Sequence, residues 1–166
     1  GIGPSGLSAE DLHVLDLTCT PARWHRVVVP PSTGQTQNGP GPRYAHTLAL
    51  VASRYLVCLG GNDGRSPLSD TWSLDTAAKP YAWSKVNASS QAGQQPQARM
   101  YATAEARSDG LLLLTGGRDK ENQPLGDAFG LARHRDGRWE WAAAPGQSPT
   151  QRYQHASVFV GQRLHV

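Results

Sequence analysis

Only two cysteines, Cys19 and Cys58, occur in the 166 residues, too few for the disulfide framework that staples small secreted domains. Cys58 lies in the apolar run Tyr55–Leu59, where a free thiol behaves as a small buried hydrophobe. The pair is read as a sign of a reducing compartment, intracellular and either cytoplasmic or nuclear. The sequon-like Asn87-Ala88-Ser89 matters only in a secreted protein. No apolar run approaches the 18 or more residues of a membrane-spanning helix, so no membrane partner is expected. An initiator Met and a signal peptide are also missing. The chain opens on Gly1 and stops at Val166 within an apolar stretch, so both ends read as cut from something longer. Charge is sparse and mixed, with 16 basic and 13 acidic residues and a formal net charge of +3. The basic residues are scattered singly rather than clustered, which argues against a nucleic-acid partner. Long helices are excluded by punctuation. The 18 glycines and 12 prolines leave only short uninterrupted runs, because glycine loses extra backbone entropy and proline lacks the donor N–H.

What the chain does have is a repeat, in three kinds of marker. An Arg-aromatic-x-His start occurs at Arg43-Tyr44-Ala45-His46 and at Arg152-Tyr153-Gln154-His155, with a variant at Arg99-Met100-Tyr101-Ala102. An apolar run ends in a glycine pair at Gly60-Gly61 and Gly116-Gly117. An Asp opens a segment that reaches a Trp 13 or 14 residues later: Asp11 and Trp24, Asp70 and Trp83, Asp127 and Trp141. From Arg43 to Arg99 is 56 residues (99 minus 43), as is Gly61 to Gly117 (117 minus 61), and three marker types drifting together give a period near 50.

Each unit reads as four short strands. In the best unit they fall near residues 44–51, 54–60, 69–75 and 81–86. The second strand is continuously apolar, as a strand buried on both faces should be. The third alternates Trp72 and Leu74 with Thr71 and Ser73, as a half-exposed strand should. The expected fold is all-β, with four-stranded antiparallel blades of a β-propeller. Complete blades are placed at 43–86 and 99–143, the last strands of another at 1–29, and the first strands of a fourth at 152–166. Residues 30–42, 88–98 and 145–151 are connectors.

These phased units resemble kelch repeats: Arg near the first strand, Gly-Gly after the second, Trp on the fourth. The strings Gly3 through Leu17, Leu74-Asp75-Thr76-Ala77-Ala78-Lys79-Pro80-Tyr81 and His134-Arg135-Asp136-Gly137-Arg138-Trp139-Glu140-Trp141 further resemble the kelch region of plant serine/threonine phosphatases of brassinosteroid signalling. The resemblance implies a segment of a six-bladed propeller that recruits a partner for an attached phosphatase domain. That domain would carry two metal ions, manganese or iron and zinc. The alternative is a kelch scaffold or ubiquitin-ligase adaptor with no phosphatase. Two departures stand out: Ala102 replaces the His in the middle unit, and Ala132 stands where Asp16 and Asp75 stand.

Chemistry is not expected from this segment, and no cofactor either. A dimetal phosphatase needs ligand motifs to clamp attacking and leaving oxygens. Gly126-Asp127-Ala128-Phe129-Gly130 lacks the required His, and Gly61-Asn62-Asp63-Gly64 lacks the His-Glu. No two histidines have metal-ligand spacing, and His46 and His155 are expected to be hydrogen-bonded near the start of an inner strand. Trp24, Trp83 and Trp141 recur at one repeat position and are assigned to the core, with Trp72 and Trp139 the better surface candidates. For binding, the kelch resemblance implies that Arg43, Arg99 and Arg152, with Tyr44 and Tyr153 beside them, border the central cavity. There the guanidiniums would either grip an acidic or phosphorylated protein partner bidentately or merely brace strands. Asn62, Asp63, Arg118 and Asp119, just after the glycine pairs, are expected in loops on the same face.

Overall fold

The computed structural model describes residues 1–8, 12–30, 39–90, 94–146 and 149–166. Asp11 and most of the long 30–42 connector lie outside them. The described chain is all-β. A small hairpin, β1 (Ile2–Gly3) with β2 (Gly6–Leu7), precedes the antiparallel pair β3 (Leu12–Asp16) and β4 (Arg23–Val27). The first complete blade follows as β5 (Thr47–Val51), β6 (Tyr55–Leu59), β7 (Thr71–Asp75) and β8 (Trp83–Lys85), antiparallel in chain order. After β9 (Ser89–Ser90), the second blade is β10 (Thr103–Ala106), β11 (Leu112–Thr115), β12 (Ala128–Arg133) and β13 (Trp139–Ala143). A last pair, β14 (Val158–Val160) and β15 (Arg163–His165), ends the chain. Among the described residues no helix is long and apolar enough to cross a membrane.

The continuous apolar character of β6 has the cause its sequence suggests. Leu56 and Cys58 point to one side, where they pack with Trp72, Leu74 and Trp83 and with Leu12 of β3. Val57 and Leu59 point to the other side, into a cluster with Leu112, Leu114, Phe129, Leu131 and Trp141 of the second blade. The core is therefore a series of seams between blades. Leu112 and Leu131 are fully buried, and each such side chain contributes about 1.5–3 kcal/mol relative to an exposed one. On the other side of β6, burial among Trp72, Leu74 and Trp83 pushes the Cys58 thiol up to about 11, so it stays protonated and unreactive near neutral pH.

Four features differ from expectation. β7 is buried on both faces, since Thr71 and Ser73 are 5% and 9% exposed. As an interior strand it has the second blade against its hydroxyl side, and small residues there let the sheets close. Ser89 and Ser90, within the 88–98 connector, form a parallel edge strand on β13, pairing with Glu140 and Trp141. The second sheet thus has five strands, and its outer edge is covered by polar chain, which blunts an otherwise open ladder. Trp24 is 69% exposed, whereas Trp83 and Trp141 are core, because no sheet covers its face of β3–β4 among the described residues. Trp72, by contrast, is buried, and its indole N–H donates to Asp70 at 2.7 Å.

Candidate partner-binding face

The glycine pairs build the joints from which the face is made. Gly60 and Gly61 have φ of +55° and +92°, and Gly116 and Gly117 have +60° and +97°. A Cβ on Gly60 would stand 2.7 Å from the Arg99 carbonyl of the next blade, and one on Gly116 2.6 Å from the Arg152 carbonyl. With no Cβ, the backbones come close enough for Gly61 N–H to donate to Arg99 O at 2.9 Å and Gly117 N–H to Arg152 O at 2.9 Å. Arg99 and Arg152 N–H groups return bonds to Leu68 O and Leu125 O, both at 3.1 Å. Each blade is thus hydrogen-bonded to the next at the end where its inner strand begins.

That close approach decides the fate of the arginines. Arg43 is 5% exposed. Its Nη1 donates to Gly60 O at 3.0 Å and Asp70 Oδ1 at 2.6 Å, its Nη2 to Asp70 Oδ2 at 2.9 Å and its Nε to Gly41 O at 3.1 Å. Four of the five guanidinium N–H donors are consumed within the protein. Arg99, 3% exposed, repeats the pattern with Gly116 O, both oxygens of Asp127, and Gln97 O. Of the two readings of these arginines, bracing is what Arg43 and Arg99 do: each guanidinium ties the Asp that leads into the blade's third strand to the glycine carbonyl after its second, and neither is free to grip a ligand. Burial opposes ionisation of Asp70, but the Arg43 and Trp72 donors outweigh it and hold the carboxyl below its usual range. Arg152 is half-buried, donates from Nε to Thr150 O at 2.9 Å, and has no carboxylate partner among the described residues.

The loop residues divide in the same way. Asn62 is 5% exposed. It accepts from Gly64 N–H at 2.7 Å and donates to Met100 Sδ at 3.6 Å, so it frames its loop rather than facing solvent. Asp63 and Asp119 also accept backbone N–H bonds in their own turns, from Arg65 and Ser66 and from Glu121 and Gln123. The Ser66 and Arg65 amides hold the exposed Asp63 carboxyl below its usual value.

Arg118 is different. Its guanidinium lies 5.2 Å from the Tyr101 ring centroid and 5.4 Å from that of Tyr153. Its Nε is buried without a partner among the described residues. Tyr101 lies 6.2 Å edge-to-face from Tyr44 and 6.4 Å from Tyr153. One tyrosine from each of three successive blades thus forms a row, with Arg118 held against two of them. Tyr101 is absent from the expected set because it stands two residues after its Arg instead of one. It occupies a left-handed position, φ +57°, as do Ala45 at +54° and Gln154 at +57°. From there backbone bonds run blade to blade, Tyr101 N–H to Ala45 O and Gln154 N–H to Tyr101 O, each 3.0 Å. An aromatic shifted by one position against the repeat is the sequence signal that marks it.

His155 lies at the start of its blade as expected. Its Nε2 is 3.1 Å from Thr103 Oγ1 and 3.3 Å from Thr115 Oγ1. Burial lowers its pKa, as it does for His46. A folded-state pKa below the unfolded one disfavours protonation in the fold. Stability is therefore full above about 6.5 and falls as pH drops through that value toward the folded pKa. Thermal melts are expected to give a level Tm from pH 8 to 7 and a decline toward pH 5 that His155→Gln makes shallower. An unchanged profile in that variant counts against the assignment.

No three His, Cys, Asp or Glu side chains group as a metal site among the described residues. Of the two phosphatase-like strings, one supplies the Asp127 partner of Arg99 and the other the Asn62–Gly64 turn.

Four-stranded antiparallel sheets stacked face to face, joined by paired glycines and pinned by Arg–Asp braces, define a β-propeller. The family model described as the KLHDC2/KLHL20/DRC7 Kelch-repeats domain matches residues 1–166, and the chain belongs to the kelch-repeat family. As a kelch domain throughout, it is a protein-interaction module and not a catalytic domain. It is 65% identical over all 166 residues to serine/threonine-protein phosphatase BSL2 of Arabidopsis thaliana, spanning 15% of that protein. It is 30% identical over 161 residues to Adagio protein 3 of Arabidopsis thaliana, spanning 24% of that protein. The solved structure of YjhT superimposes with a TM-score of 0.68 at 16% identity, over 99% of this chain and 52% of that one, a likeness of fold alone.

Proposed function

We propose that this propeller segment recruits a protein partner bearing an acidic or phosphorylated group to an attached serine/threonine phosphatase, with Arg118 as the anchor. The observation that carries the reading is the guanidinium held against both Tyr101 and Tyr153 with no carboxylate of its own among the described residues. Of the other arginines near this face, Arg43 and Arg99 are already spent on Asp70 and Asp127, and Arg152 donates from Nε to Thr150 O. An arginine fixed by rings loses little freedom on pairing and presents a planar fork to carboxylate or phosphate. Identity of 65% across the whole chain to a phosphatase supports that setting over a scaffold or ubiquitin-ligase adaptor. In it, the two metal ions, manganese or iron and zinc, belong to the phosphatase domain, and this segment needs no cofactor. The buried free thiol of Cys58 fits an intracellular, cytoplasmic or nuclear, location.

Titration with fluorescent phosphoserine peptides, beside their serine and glutamate counterparts, tests this. Arg118→Ala is expected to weaken binding of the phosphorylated or acidic peptides by at least about tenfold, in line with the loss of one charge-assisted hydrogen-bond pair. Equal binding by the variant, or no preference for the charged peptides, would remove Arg118 as the anchor.

A further inference from the structure

The joint between the two complete blades differs from the next joint at one decisive position. At the later joint His155 reaches back to Thr103 and Thr115. At the earlier joint the repeat puts Thr47 where Thr103 stands: Thr47 pairs with Leu59 across β5–β6 as Thr103 pairs with Thr115 across β10–β11. The place of His155 is taken by Ala102, one residue beyond Tyr101 just as His155 is one beyond Gln154, and the backbone bonds of Tyr101 and Gln154 fix that equivalence.

Losing the imidazole leaves two traces. Thr47 Oγ1 is buried and has no hydrogen-bond partner among the described residues. Beside it lies a cavity with room of about 20 Å³ for the centre of a water molecule, lined in part by Thr47, Gly60, Ser69, Thr71, Ala102 and Trp141. A single buried water needs about 10–15 Å³ of such room and two or more polar partners.

We propose that this cavity binds one ordered water in place of the missing imidazole, bonded to the Thr47 hydroxyl. A second bond is available from the Gly60 carbonyl, which lines the same cavity and spends one of its two lone pairs on Arg43 Nη1. The water is then part of the joint directly behind Tyr101, the middle ring of the tyrosine row, and the middle unit's departure from the repeat is repaired by solvent. An apolar cavity of similar size would stay dry; the unpartnered hydroxyl makes this one a water site.

A crystal structure of the protein at a resolution that orders buried waters is expected to show density in the cavity within hydrogen-bond reach of Thr47 Oγ1. A dry cavity, or one filled by a rotated side chain, overturns the proposal. Thermal melts give an independent reading. Thr47→Val removes the anchor of a bound water and is expected to lower Tm by about 2–4 °C, whereas Thr47→Ser keeps the hydroxyl and the water. If the hydroxyl is instead an orphan, a methyl in its place leaves Tm unchanged or raises it, and that result also overturns the proposal.

Discussion

Asp70→Ala is expected to destabilise the protein by about 3–5 kcal/mol, the range for removing one partner of a buried ion pair. The change strips Arg43 of two charge-assisted bonds and Trp72 of its acceptor in one step. Arg43 is 5% exposed and Asp70 20%, so the stranded guanidinium has little access to water, while the partial exposure of the carboxylate places the cost near the lower end. For a chain of this size, 3 kcal/mol corresponds to a fall in Tm on the order of 6–12 °C. The internal control is Asp75→Ala. Asp75 pairs with Arg54 in similar bidentate geometry, but Arg54 is 51% exposed, and exposed pairs contribute about 0–1 kcal/mol. Equal losses from the two variants would show that burial does not set the strength of the brace. The two pairs also predict an acid limb. Both Asp70 and Asp75 carboxyls are held below their usual range, so their contribution is complete above about 3.9 and is lost as pH falls through the lowered folded values. This lies well below the histidine-linked decline, and a pH series of melts separates the two.

Gly60→Ala is the second large effect. The left-handed backbone costs a non-glycine residue about 1–2 kcal/mol, and the new Cβ would also meet the Arg99 carbonyl at 2.7 Å. That oxygen is main chain and accepts the Gly61 N–H, so it cannot swing aside as a side chain would. Relief requires the blades to separate, at an overpacking cost of about 1–3 kcal/mol. Gly137→Ala isolates the two terms. Its φ of +93° is also left-handed, but its nearest neighbour is the flexible Nη2 of Arg133 at 3.4 Å, so only the backbone strain applies. The Tm loss at Gly60 is expected to be roughly twice that at Gly137. Comparable losses would mean that the glycine pair serves turn geometry and not the approach of blades.

The tyrosine row and Arg118 depend on both devices. Each ring comes from a different blade, so its position relative to the next is set by the joint, and Asp70→Ala or Gly60→Ala should disturb partner binding from a distance. Arg118→Ala should weaken binding by the expected factor of about tenfold or more without a comparable loss of Tm, which distinguishes contact from support.

Much was legible from the sequence because it is local. Strand positions follow from apolar runs and turn residues, and the double-sided burial of β6 follows from its unbroken apolar character. The period near 50 came from three kinds of marker, and with it the propeller class. What depended on neighbours far along the chain was not legible. Arg43 finds Asp70 27 residues away, and nothing local separates an arginine paired across a blade from one facing a ligand. Alternation in β7 suggested an open face, yet Thr71 and Ser73 are covered by the following blade. The recurrence of Trp24 suggested core, yet burial requires a second sheet and not merely a repeat position. Tyr101 joins the row because a left-handed residue turns the chain at that point, and Thr47 lacks a partner because of a substitution 55 residues later (102 minus 47). Periodicity specifies the blade, since each strand's pattern is written in adjacent residues. The binding face was decided by tertiary structure, because it is assembled from one residue per blade and its chemistry depends on which charges the joints have already neutralised.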